Sequence, residues 1–165
     1  MIKSVITLLR PLQYIKNFFI FLPLFFGLKG FDSELIYQLV VTFIAFSSVA
    51  SAVYIFNDSI DIKHDRAHPV KKHRPLASGA LSIKWASFLG LGLGLFGLGI
   101  AYIQSVWVPF LLYICLNILY SIKLKHVPII DVFIIAIGFV LRLIIGASVS
   151  NVELSMWIVI MTFLL

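Results

Sequence analysis

Six almost unbroken apolar stretches dominate the chain, at about 12 to 31, 35 to 56, 81 to 104, 106 to 120, 129 to 149 and 154 to 165. Most approach the roughly 20 residues a helix needs to cross a hydrocarbon core of roughly 30 Å. None alternates with the period of two that a barrel strand requires, and a bilayer offers unpaired backbone groups no partner. The pattern therefore predicts an all-α integral membrane protein. Pro23 falls inside the first stretch and predicts a kink, whereas Pro69, Pro75 and Pro128 fall in connections and interrupt nothing. The last stretch has twelve residues from Leu154 to Leu165, and the roughly 18 Å of helix they make is too short to cross. It reads as a span cut midway, so 1–165 is expected to be a single transmembrane domain that forms the N-terminal portion of a longer one.

The polar positions orient these spans. Lys3 and Arg10 before an apolar run imitate a signal peptide, but no small-residue cleavage pattern follows. Folding that run into the first span leaves Arg10 to Asn17 at the membrane surface. Threading the spans then puts eleven of the thirteen basic residues on the N-terminal side: Lys3, Arg10, Lys16, Lys63, Arg66, Lys71, Lys72, Arg74, Lys84, Lys123 and Lys125. Lys29 alone lies on the other side, and Arg142 lies inside the fifth span. The positive-inside rule makes the N-terminus and the long loop 57–80 cytoplasmic, in a cell (inner) membrane.

Composition excludes an ordinary soluble globule, since 61% of residues are hydrophobic and 12% charged, against roughly 25% charged in an average domain. The net charge of +6 is explained by topology and by anionic lipid headgroups, so nucleic acid is set aside as a partner. Cys115 is the single cysteine. It permits no internal disulfide and no thiolate metal cluster, and is expected to be a packing residue.

Candidate chemistry begins where the second span ends, at Asn57, Asp58, Asp61 and Asp65. On a continuous helix the three acids share one face. Adjacent pairs at about 6 Å repel by roughly 3 kcal/mol at an effective dielectric near 20, so a cation is expected among them. Mg²⁺ suits oxygen donors of this kind and completes its shell with water and substrate phosphate. Zinc is disfavoured despite His64, His68 and His73, because neither a second thiolate nor an H-E-x-x-H spacing is present. Downstream lie Lys71, Lys72 and Arg74 in a proline-bounded loop running to Gly79. Bases that gather phosphate beside acids that gather metal point to a metal-bound diphosphate.

The next cytoplasmic loop runs from Tyr120 through Lys123 and Lys125 to Asp131 at the mouth of the fifth span. Arg142 stands on the same helical face as Asp131, roughly 16 Å further along, too far to pair with it. A charge at that depth costs roughly 2.5–3.5 kcal/mol on insertion scales, so it should meet another helix or an anionic headgroup or substrate. Asn117 is a candidate polar neighbour. The glycine pattern from Gly92 to Gly97 imitates a dinucleotide loop but lies within an apolar span, and with Gly90 and Gly94 it reads as helix packing.

Arg10-Pro11-Leu12-Gln13-Tyr14-Ile15-Lys16-Asn17, Asn57-Asp58-x-x-Asp61-x-x-x-Asp65, Arg74-Pro75-Leu76-Ala77-Ser78-Gly79 and Tyr120-x-x-Lys123 together resemble the UbiA superfamily of intramembrane prenyltransferases. The resemblance implies about nine helices around a cavity, of which about six are present, with the acidic loops at its cytoplasmic mouth. It implies that Asp58, Asp61 and Asp65 are catalytic and, with Asn57, hold Mg²⁺ on a diphosphate. Lys16, Lys71, Arg74, Tyr120, Lys123 and Lys125 would surround the phosphates, and Arg142 would lie deeper in the cavity. Asp131 is expected to orient a lysine or ribose hydroxyls, and no role as a base is assigned to it.

The variant motifs look most like the branch that transfers phosphoribose from phosphoribosyl diphosphate to a polyprenyl phosphate. The nearest rival moves a prenyl group from prenyl diphosphate to an aromatic or other acceptor. Rivals of another class are a transporter, which would need polar groups near the midplane, and an inactive truncated remnant that binds membrane lipids.

Overall fold

In a computed structural model, which describes residues 2–27, 32–124, 127 and 129–164, the described chain is helical. The helices are α1 (Ile2–Leu9), α2 (Leu22–Phe26), α3 (Ser33–Ile60), α4 (Ile62–Ala67), α5 (Ile83–Ile103), α6 (Trp107–Ile122), α7 (Ile130–Ser150) and α8 (Met156–Leu164). A 3₁₀ segment, Pro11–Phe21, joins α1 to α2, and a short 3₁₀ turn, Lys71–His73, follows α4. Lys29, Lys125 and Pro128, each used in the sequence reading, lie outside the described residues.

Among the described residues four stretches are long and apolar enough to cross a membrane: Ile2–Phe26, Ser33–Ile60, Ile83–Ile103 and Ile130–Ser150. The chain is an integral membrane protein. Trp107–Ile122 is a shorter apolar helix, and α8 covers the last apolar stretch. The middle of the bundle is α3, which touches α1, the 3₁₀ segment, α5, α6 and α7. Its buried face carries Leu39, Phe46 and Val49 into a core with Ile20, Phe110 and Ile145. The expected glycine packing is present. Gly90 and Gly94 lie against Ile55 and Ala52, and Gly97 lies against the Ala45 carbonyl, where a Cβ would collide. Cys115 is exposed rather than packed, so its apolar setting in sequence does not translate into burial within the described helices.

The first span departs from a simple kinked helix. The backbone breaks at Arg10, which takes a left-handed conformation (φ 54°, ψ 55°) immediately before Pro11. Pro23 sits at the start of α2, where its missing N–H costs nothing, so it begins a helix instead of bending one. The intervening 3₁₀ stretch is long for its kind, and its contacts explain it. Tyr14 and Ser51 share a hydroxyl hydrogen bond of 2.7 Å, and Asn17 Nδ2 donates to Ser47 Oγ at 2.9 Å. Three residues of 3₁₀ helix rise about 6 Å, as do four residues of α-helix. The 14-to-17 step therefore matches the 51-to-47 step, and the two segments run antiparallel in register.

The same match recurs on the other side. Asn17 pairs with Arg142, and Ile20 packs on Gly146 so closely that any Cβ there would overlap the Ile20 carbonyl oxygen. The 17-to-20 step again equals the 142-to-146 step. The 3₁₀ segment is a strip threaded between α3 and α7.

Candidate active site

The polar stripe on α3 ends in the acidic motif. A bend at Asp61 separates α3 from α4, yet Asp61 N still donates to Asn57 O at 3.0 Å and Asp65 N to Asp61 O at 2.8 Å. The i to i−4 pattern thus carries through the bend. Asp58 and Asp65 are both nearly inaccessible, 2% and 3% exposed. Asp58 Oδ1 accepts from Arg10 Nη2 at 2.6 Å and from Arg74 Nη1 at 3.1 Å, while the same Arg74 nitrogen donates to Asp65 Oδ2 at 2.8 Å.

The cation expected between the acids is therefore partly supplied by the chain itself. Arg10 comes from the α1 junction and Arg74 from the loop after α4. Sequence spacing suggested three convergent carboxylates, but among the described residues no group of three or more His, Cys, Asp or Glu side chains is gathered to hold a metal. Two carboxylates stand on either side of one guanidinium nitrogen.

That arrangement tests the fit of magnesium. Position and charge agree, because a cationic nitrogen already occupies the space between Asp58 and Asp65. The donors agree too: carboxylate and amide oxygens in one short segment, two of them shared, are what Mg²⁺ ordinarily takes from a protein. His68 follows a different course. Its Nδ1 accepts from the backbone N–H of Val70 and Lys71 at 3.1 and 3.3 Å, closing a turn.

The loop that presents Arg74 is anchored from below. Leu76 and Leu81 are buried with Leu8, Ile55, Ile62 and Ala86, and Arg66 Nε donates to Ala77 O at 3.0 Å. Gly79 turns the chain at φ +78°, a conformation that side chains disfavour. The motif Arg74-Pro75-Leu76-Ala77-Ser78-Gly79 is thus a plug that fixes one guanidinium over the acids. Lys71 on the same loop and Lys123 at the end of α6 are exposed.

Beneath the mouth lies a chamber of about 130 Å³ lined by Lys16, Tyr54, Tyr113, Asn117, Tyr120, Asp131, Gly138 and Arg142, among others. The structure thus brings four expected residues, Lys16, Tyr120, Asp131 and Arg142, around one hollow. Asp131 Oδ1 accepts from Val132 N at 2.9 Å at the start of α7. Arg142 is 5% exposed. Its Nε donates to Asn17 Oδ1 at 2.8 Å and its Nη1 to Gly138 O at 2.6 Å. The rings of Phe46, Tyr113 and Phe139 lie 4.8, 5.1 and 5.6 Å from the guanidinium carbon. Asn117 faces the same chamber but donates to Tyr113 O of its own helix at 2.8 Å.

Sequence reasoning did not assign Arg10, Asn17 or Tyr54 to the site. Arg10 lies over the Tyr54 ring at 5.0 Å, so Tyr54 connects mouth and chamber. The signal for Tyr54 was its position one turn before Asp58 on the same face.

The described chain is thus an all-helical membrane bundle with an acid and arginine cluster at one end of a polar chamber. The model of the UbiA prenyltransferase family matches residues 18–165, and the chain belongs to that family. It is 33% identical over 160 residues to decaprenyl-phosphate phosphoribosyltransferase of Corynebacterium glutamicum, covering 93% of this chain and 48% of that protein. To the Mycolicibacterium smegmatis protein of the same name it is 30% identical over 175 residues, covering 99% of this chain and 54% of the other. The chain spans about half the length of these curated relatives. A UbiA homolog from Archaeoglobus fulgidus bound to DMAPP and Mg²⁺ superposes with a TM-score of 0.82 at 21% identity, covering 96% of this chain and 58% of that one. The same homolog bound to GPP and Mg²⁺ gives 0.83.

Proposed function

We propose that this chain is the N-terminal portion of an enzyme that transfers phosphoribose from phosphoribosyl diphosphate to a polyprenyl phosphate in a magnesium-dependent reaction. The observation that carries the reading is the junction of two phosphate-suited regions: the Arg10–Asp58–Arg74–Asp65 cluster, and beneath it a chamber holding a buried arginine. The similarity to two decaprenyl-phosphate phosphoribosyltransferases supports the same choice.

Asn57, Asp58, Asp61 and Asp65 would hold the Mg²⁺. The ion, when bound, supplies charge neutralisation to the diphosphate as it departs. Arg10 and Arg74 orient the carboxylates and offer N–H donors to phosphate oxygens, with Arg74 suited to bidentate contact. Lys16 and Tyr120 reach the chamber beneath from the 3₁₀ segment and α6, and Lys71 and Lys123, with Lys125 of the same basic run, would attract the anionic donor. An oxygen of the lipid phosphate attacks C1 of the ribose, the C1–O bond to diphosphate breaks, and the products are polyprenyl-phosphoryl-phosphoribose and diphosphate. Asp131 at the rim suits ribose hydroxyls. The lipid tail lies along apolar helices while both reacting groups meet at the charged end. The charge distribution supports a cytoplasmic mouth in a cell (inner) membrane.

A second reading is favoured by the DMAPP and GPP complexes of the Archaeoglobus homolog: transfer of a prenyl group from prenyl diphosphate to an aromatic or other acceptor. Membranes containing the full-length protein, given labelled phosphoribosyl diphosphate with decaprenyl phosphate or labelled prenyl diphosphate with aromatic acceptors, separate the two. Label from phosphoribosyl diphosphate should enter lipid only with Mg²⁺, and Asp58→Asn should cut that rate by on the order of a hundredfold or more. Consumption of the prenyl donor alone would transfer the assignment to the second reading.

A further inference from the structure

Arg142 is a buried cation whose hydrogen-bonded partners, Asn17 and Gly138, are neutral. The ion pairs among the described residues join Arg10 and Arg74 to Asp58 and Asp65 at the mouth and leave Arg142 out. Three ring faces stabilise its positive charge without cancelling it. Two of the five N–H donors of its guanidinium are used by protein. Among the described residues no hydrogen bond uses Nη2 and no buried side-chain nitrogen lacks a partner, and Arg142 lines the chamber, which leaves Nη2 as the donor available to a ligand there. A charge kept at this depth with neutral partners is suited to a ligand of opposite sign.

We propose that the chamber floor is a binding site for a phosphate monoester, separate from the diphosphate site at the mouth, with Arg142 as its cationic receptor and Lys16 and Tyr120 as flanking donors. The inference deepens the phosphoribosyl reading and rests on it. That donor carries a diphosphate at one end and a monoester at the other, and so needs two anion sites joined by a hollow. Asp131 and Asn117 on the chamber wall supply an acceptor and an amide for the hydroxyls between them. Tyr54, against Arg10 above and in the chamber below, is where the two sites meet. A monoester could also arrive as the headgroup of the polyprenyl acceptor. The chemistry is shared, and binding data separate the sources.

The test uses the full-length protein in lipid nanodiscs, comparing wild type with Arg142→Gln and Arg142→Lys. Three probes are titrated with Mg²⁺ present: ribose 5-phosphate, decaprenyl phosphate and inorganic diphosphate. Arg142→Gln should weaken at least one monoester by tenfold or more and leave inorganic diphosphate within twofold, with Arg142→Lys intermediate. Selective loss of ribose 5-phosphate identifies the donor as the source, and selective loss of decaprenyl phosphate identifies the acceptor. Equal loss of all three probes, or unchanged monoester binding, would overturn the proposal. If Arg142→Gln does not fold, Arg142→Lys alone decides, by whether monoester affinity falls severalfold relative to diphosphate. The underlying reading fails independently if wild type does not consume phosphoribosyl diphosphate while Arg142 still governs monoester binding.

Discussion

The mouth and the floor of the chamber handle charge in opposite ways. At the mouth two buried carboxylates, Asp58 and Asp65, are joined by Arg74 and capped by Arg10, so acid and base compensate one another within the protein. At the floor Arg142 has an amide, a carbonyl and three rings. A ligand arriving at the mouth must compete with existing pairs, whereas one arriving at the floor meets a cation not yet neutralised. The difference teaches that burial of charge alone does not mark a binding site; the sign and number of the partners do.

The comparison can be broken at its strongest point by Arg74→Ala. Removing the shared guanidinium takes the ion pair from Asp65 and leaves Asp58 with Arg10 alone, and since Arg74 itself is partly exposed the expected loss is about 3 kcal/mol, at the low end for a broken buried pair. Thermal unfolding in detergent checks it, and added Mg²⁺ should restore part of the loss by standing between the same oxygens. Gly146→Ala acts on the floor instead. The added methyl must displace the Ile20 backbone, costing about 2 kcal/mol and shifting Asn17 relative to Arg142, which a lowered melting temperature would register.

A change of sign sharpens the contrast. Asn17→Asp places a carboxylate on Arg142 and converts the floor into a second self-compensated site. Stability should change by less than about 1 kcal/mol, because an ion pair replaces a cation-to-amide hydrogen bond at the same place and the gain in attraction is offset by burying a second charge. Affinity for ribose 5-phosphate should fall about tenfold, or about 1.4 kcal/mol. Unchanged affinity would remove the distinction between the two regions. The smallest effect is expected for Ser51→Ala, which deletes the hydroxyl between Tyr14 and the Leu9 carbonyl and should cost about 1 kcal/mol.

How much of this was legible beforehand follows from where partners lie in the chain. Most spans were readable because apolar runs near 20 residues leave few alternatives in a bilayer, and the acids were readable because Asn57, Asp58, Asp61 and Asp65 are neighbours in sequence. The Arg10 partner of Asp58 and the Asn17 partner of Arg142 were not, since they lie 48 and 125 positions away. Asp58, Asp61 and Asp65 invited a three-carboxylate metal site. What spacing did not show is that Arg74 reaches back to join Asp58 and Asp65 through one nitrogen. The 3₁₀ form of Pro11–Phe21 was equally hidden, because a run as apolar as Phe18-Phe19-Ile20-Phe21 has the same pattern at three residues per turn as at 3.6. Only the spacing of Ser47 and Ser51 on one side, and of Arg142 and Gly146 on the other, gives its pitch a reason.

That pitch makes Pro11–Phe21 a strut of fixed length. One end abuts Arg10 at the acidic cluster, and further along it Asn17 supports the intramembrane arginine. Relaxed to an ordinary α-helix, its eleven residues would shorten from about 22 to about 16 Å. The two charged stations could not then both keep their contacts. Their spacing is gauged by a single piece of backbone, and a lesion anywhere along it should be felt at both.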